Sequence, residues 1–174
     1  YLGNPGGILE LPDTITPVLV GDLHARIDNL LTILSENAVL ESLENGTAAL
    51  VILGDAVHPE EPGSLDEIDS SLLIMDLIFS VKLRFPDIVF YIVGYHDSFF
   101  HEIMKRGVPQ GLLWDKHVVS TRGEEYKAEL ELFYRQSPLL VLAIDFIACH
   151  AGPARRKISR QALVDVHQFP DVVH

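Results

Sequence analysis

The sequence is poor in cysteine, poor in positive charge and free of long apolar runs. Cys149 is the single cysteine in 174 residues, so no disulfide can form within the chain. A reducing, cytoplasmic setting is therefore expected. The thiol sits in an apolar stretch and reads as an inert core group rather than a nucleophile. Lys and Arg number 13 against 25 Asp and Glu, for a formal net charge of −12. That balance argues against nucleic acid or an anionic membrane as partner, because both are held by clustered basic side chains. The richest apolar stretches, 72–81 and 139–149, are broken by Asp76 and Asp145. A spanning helix needs about 20 apolar residues, so neither stretch qualifies. No signal peptide is visible, and repeats, linkers and low-complexity segments are absent as well. The expectation is one domain over residues 1–174. The chain opens at Tyr1 and ends soon after its last motif, which reads as a piece trimmed from something longer.

Strand-like and helix-like patterns alternate along the chain. A first strand around Thr16 to Leu23 is followed by Ile27, Leu30, Leu31, Leu34, Val39 and Leu40 at roughly helical spacing. Ala48 to Leu53 reads as a buried strand. Ser64 and Glu67 have capping-box spacing and predict a helix from there to the stop at Pro86. Ile88 to Val93 predicts a third strand, with Ser98 capping a short helix over 99–105. Gly107 to Leu113 reads as a loop and Glu124 to Tyr134 as a helix. Leu139 to His150 resembles two strands joined by a tight turn near Asp145. This order predicts an α/β fold, a mainly parallel sheet flanked by helices on both faces, with a final antiparallel pair.

Four of the strand-like runs end in Gly, Asp and His. The endings are Gly21-Asp22-Leu23-His24, Gly54-Asp55, Gly94-Tyr95-His96-Asp97 and His150-Ala151-Gly152. Open α/β sheets put their sites outside the carboxyl ends of the strands, and carboxylates with imidazoles are the ligands divalent metals take there. Asp22 and His24, two apart on an extended segment, point to the same side, although an N-cap Asp and a solvated His would look the same. Asp55 could share a cation with Asp22, since close carboxylates otherwise repel and raise each other's pKa. His150 precedes small residues that permit close approach. His96 reads either as a general acid toward a leaving oxygen or as a turn histidine.

In order and spacing these blocks resemble the calcineurin-like metallophosphoesterases, and more narrowly the phosphoprotein phosphatase (Ser/Thr phosphatase) branch in a bacterial-type version. The resemblance covers most of the chain and implies that family's sandwich, with its C-terminal part missing. It implies two divalent ions, manganese or iron and zinc. Asp22 and His24 would hold the first, Asp55 would bridge both, and His150 with the position of Tyr95 would hold the second. His96 would be the general acid. Hydroxide formed at the ions would attack the phosphorus of a phosphorylated protein or small phosphoester, with no phosphoenzyme.

The sequence also departs from the family pattern. Tyr95 stands where the family has a ligating Asn, and a neutral phenol is a poorer ligand. His58-Pro59 replaces an Asp that orients the general acid and an Arg that grips phosphate. His58 reads as a loop histidine, with orienting His96 or ligating metal as alternatives. Arg26, Arg155 and Arg156 are candidate phosphate clamps, or solvated surface arginines. His167 and His174 follow His150 too soon to supply the family's remaining ligand. Two rival functions stay open: a degenerate phosphatase-fold binding module, and a nucleotide or dinucleotide phosphohydrolase.

Overall fold

The computed structural model describes residues 6–152 and 157–167. Strands β2 (Thr16–Val20), β3 (Ala48–Ile52) and β4 (Val89–Tyr91) form a parallel sheet in that order. Val18 faces Leu50 and Ile52 faces Tyr91 in the ladder. Each connection steps one strand further in the same direction. Right-handed crossovers of that kind put their helices on one face, here α1 (Ile27–Ser35), α2 (Val39–Glu44) and α3 (Asp69–Arg84). The two further helices α4 (Gln110–Arg122) and α5 (Glu124–Gln136) pack into the same layer.

The central strand reports both faces. Leu50 and Ile52 join Leu30, Leu34, Ile74, Met75 and Trp114 in the helix-side core. Ala49 and Val51 point the other way, to Leu9, Leu11, Ile92 and Val141. Those partners come largely from a second sheet, in which β1 (Ile8–Glu10) runs parallel to β5 (Leu140–Leu142) and β6 (Ile147–Cys149) antiparallel to it. All five residues of β3 are buried, at about 1.5–3 kcal/mol for each large apolar side chain. β2 is an edge strand, which is why Pro17 is tolerated in it.

The structure corrects several expectations. Helices cover one face of the parallel sheet and a mixed sheet covers the other. The helix expected over 27–40 breaks at Asn37 and Ala38, both left-handed (φ 51° and 55°), a conformation Asn accepts readily. Ser64 and Glu67 do not form a capping box: Ser64 donates to the Glu61 carbonyl, and Glu67 accepts from the Ser70 backbone N–H. α3 therefore starts at Asp69. Residues 99–105 form turns rather than a helix, and α4 occupies residues read partly as a loop. β1 and the short helix α6 (Arg160–Val164) were not foreseen. Cys149 is exposed rather than core, because β6 is an edge strand that turns Ala148 inward and its neighbours out.

Candidate metal centre

The three strand tips of the parallel sheet meet through their backbones. The carbonyl of Asp55 accepts the N–H groups of Leu23 and His24 at 3.1 and 2.9 Å, and Ala56 accepts that of Ala25 at 2.7 Å. The first block is thereby tied to the second. Asp55 itself is left-handed (φ 49°) and Gly54 has φ 93°. A Cβ on Gly54 would collide with the Gly94 backbone, and one on Gly94 would collide with Asp55. Glycine at both positions is what lets the tips of β3 and β4 close on each other.

Asp97 completes the joint. Its carboxylate accepts from Asp55 N at 2.9 Å, Gly94 N at 2.7 Å and Ala56 N at 3.3 Å. Burial raises its pKa from 3.8 to about 6, against the opposing hydrogen bond from Gly94. No role for this residue was foreseen. A carboxylate after His96 was visible, but two of its three partners, Asp55 and Ala56, lie some forty residues away in sequence.

One ligand atom each from Asp22, His24 and Asp55 lies within 4.8 Å of the others. His24 donates from Nδ1 to the His58 carbonyl at 3.0 Å. His150 donates from Nδ1 to the Leu53 carbonyl at 2.8 Å. Each donation turns Nε2 toward the centre, the orientation that carbonyl partners impose on metal-binding histidines, and in His24 that nitrogen meets Glu60 Oε1 at 3.0 Å. His150 Nε2 then lies 3.4 Å from Asp55 Oδ2, while His96 N donates to Asp55 Oδ1 at 2.8 Å. This donor set suits divalent ions of the manganese, iron and zinc kind.

Asp22, His24, Asp55, His96 and His150 come together at these tips. Tyr95 does not join them in the same way: it is 73% exposed, with its ring edge-on to His96 at 5.4 Å. Arg26 is exposed and paired with Glu61. Arg155, Arg156 and His174 lie outside the described residues, and His167 is exposed beyond α6.

His58 is fully buried, its ring 5.8 Å from His96 and 6.3 Å from Trp114. Neither ring nitrogen makes a well-formed hydrogen bond, and neither does His96 Nδ1. Burial, and after it the His96 ring, lowers the pKa of His58 to about 3, so it is neutral. His96 is also lowered by burial, with Asp55 opposing.

Among solved structures the chain resembles a protein serine/threonine phosphatase from Saccharomyces cerevisiae with similarity to human phosphatase PP5. The TM-score is 0.67 over 94% of this chain, at 15% identity. The fold is that of a Ser/Thr phosphatase. The chain spans about half, 48%, of that structure's length. No family model matches the chain, and no curated protein matches it. The four strand-end motifs therefore sit on a fold like that structure's, with His150 joined to the tip of β3 through the Leu53 carbonyl. Among the described residues no helix is long and apolar enough to cross a membrane.

Proposed function

We propose that the protein is a metal-dependent phosphomonoesterase of the Ser/Thr phosphatase type, acting on a phosphorylated protein or small phosphoester. The observation that carries this reading is the convergence of Asp22, His24 and Asp55 within 4.8 Å, with His150 Nε2 against Asp55. Asp22, His24 and Asp55 would hold one ion. Asp55 and His150 would contribute to a second position, where Tyr95 stands for the family's Asn. Divalent ions at such a site acidify water and neutralise charge on a phosphoryl group.

The chain's own residues do the rest. The Leu53 and His58 carbonyls aim the two imidazoles. The Asp97 carboxylate clamps the Asp55 backbone, so Asp55 keeps its place as charge builds. His96, through the ring nitrogen other than its buried Nδ1, gives a proton to the leaving oxygen. An approaching phosphate dianion favours the imidazolium that this step needs. The placement in a bacterial-type branch is part of this proposal and rests on the spelling of the blocks.

The test is Asp55→Asn, assayed with Mn²⁺ by calorimetry and with p-nitrophenyl phosphate for turnover. We expect Mn²⁺ affinity to fall at least about tenfold, as for disturbed metal-site residues. Turnover should fall by about two orders of magnitude or more. Equal affinity and equal rates in the variant would sink the reading. One observation favours a second reading, a phosphatase-fold binding module without turnover: Tyr95 turns its phenol toward solvent. Mn²⁺ uptake without hydrolysis by the unaltered protein would decide for it.

A further inference from the structure

Lys105 is the group whose place the reading above leaves unexplained. Its ammonium pairs with Glu60 Oε1, and the same oxygen lies 3.0 Å from His24 Nε2. That nitrogen is the candidate ligand atom of His24. Burial, and after it the neighbouring Arg106, lowers the pKa of Lys105, with Asp55 and Asp22 opposing. Five other cations are paired away from it: Arg26 with Glu61, Arg84 with Glu44, Arg122 with Asp76, Lys127 with Asp115 and Arg160 with Glu10.

The position is built rather than incidental. Lys105 opens a tight two-residue turn: its N–H donates to the Val108 carbonyl at 3.0 Å, and Val108 returns the bond at 2.9 Å. Arg106 and Gly107 supply the two left-handed residues that such a turn requires (φ 49° and 84°). On the other side, buried Gln110 donates to the Pro59 and Leu65 carbonyls at 2.8 and 3.0 Å. This amide stitches the loop that carries Glu60 to the start of α4, directly after the Lys105 turn. The side chain of Lys105 is 24% exposed, so its charge is only partly screened.

We propose that Lys105 is the cationic residue that receives the substrate's phosphate beside the candidate metal centre. The inference rests on the metallophosphatase reading and deepens it. An ion held by His24 Nε2 would take the place of that nitrogen's contact with Glu60. A phosphate dianion offers the ammonium more charge than the Glu60 carboxylate and several acceptor oxygens. Pro59 and Glu60, on the facing loop, bring no positive charge.

The experiment titrates Mn²⁺ and then inorganic phosphate into the unaltered protein, Lys105→Met and Lys105→Arg, by calorimetry, with p-nitrophenyl phosphate kinetics alongside. We expect Mn²⁺ uptake to be equal in all three. Phosphate affinity should fall about tenfold in Lys105→Met, the scale of one charge-assisted contact. Lys105→Arg should hold within about threefold, and KM should move more than kcat. Equal phosphate affinity in Lys105→Met and the unaltered protein overturns the proposal and leaves the metal centre standing. So does joint loss of Mn²⁺ and phosphate without rescue by Arg, which would mean a structural role. An unaltered protein that binds phosphate through Lys105 but takes up no Mn²⁺ keeps the proposal and overturns the metal reading. Uptake of neither overturns both.

Discussion

His58 and Asp97 press on the same loop, 54–58, and their titrations pull stability in opposite directions. His58 has a folded pKa near 3, below its ordinary 6.5. The unfolded chain therefore binds a proton there that the folded chain does not, and stability falls as pH drops below about 6.5. Asp97 has a folded pKa near 6, above its ordinary 3.8. The folded chain keeps that proton longer, so this contribution falls as pH rises from about 4 to 6. Each slope is at most about 1.4 kcal/mol per pH unit, and between pH 4 and 6 they oppose. For metal-free protein unfolded in urea, His58→Asn should unmask a decline with rising pH relative to the unaltered chain. Asp97→Asn should unmask the reverse. Parallel curves for all three would refute the assignment. Asn suits both sites, since it does not titrate and tolerates the left-handed backbone of His58 (φ 66°).

At the scale of elements, the strands from β2 onward were legible, as were the starts of α1 and α5, while those of α3 and α4 were not. β3 shows as Ala48 to Leu53 because a strand buried on both faces is apolar throughout. α4 escaped notice because its buried face is Gln110, Gly111, Trp114 and Val118, which carries no apolar stripe. Gln110 is buried to hold two carbonyls, and Gly111 because a Cβ there would strike the Phe100 carbonyl. Gln110→Leu should cost about 1–3 kcal/mol through the unpaired carbonyls, read as a lower urea midpoint with faster proteolysis within 59–65. An unchanged midpoint would show that the stitch contributes nothing. Gly94→Ala should cost about 1–3 kcal/mol by overpacking and weaken Mn²⁺ binding with it, because the added methyl presses on Asp55. Loss of stability with intact Mn²⁺ affinity would disconnect this joint from the centre.

At the scale of the molecule, two cores of unequal size hold the sandwich. The helix-side cluster is broad, while the layer between the sheets is small, built on Leu9, Leu11, Ala49, Val51, Ile92 and Val141. β1, β5 and β6 have three residues each, and Ile144 and Ile147 are exposed at the hairpin. Amide exchange should be faster in these strands than in β3, because local opening exposes less apolar surface there. Equal protection across both sheets would show that they open as one unit. The net charge of −12 opposes approach of an anionic substrate, which makes any local positive group near the centre matter more.

Residue types and their order along the chain determined the α/β alternation and the four strand-end motifs. These are local properties, written in apolar runs and in the spacing of Gly, Asp and His. The mixed sheet on one face, the exposure of Cys149 and Tyr95, and the clamp from Asp97 were decided only in three dimensions. So were the contacts of Lys105 with Glu60 and of Glu60 with His24. Their partners lie tens of residues away, and a pairing across that distance depends on which faces the crossovers leave open rather than on any neighbouring residue.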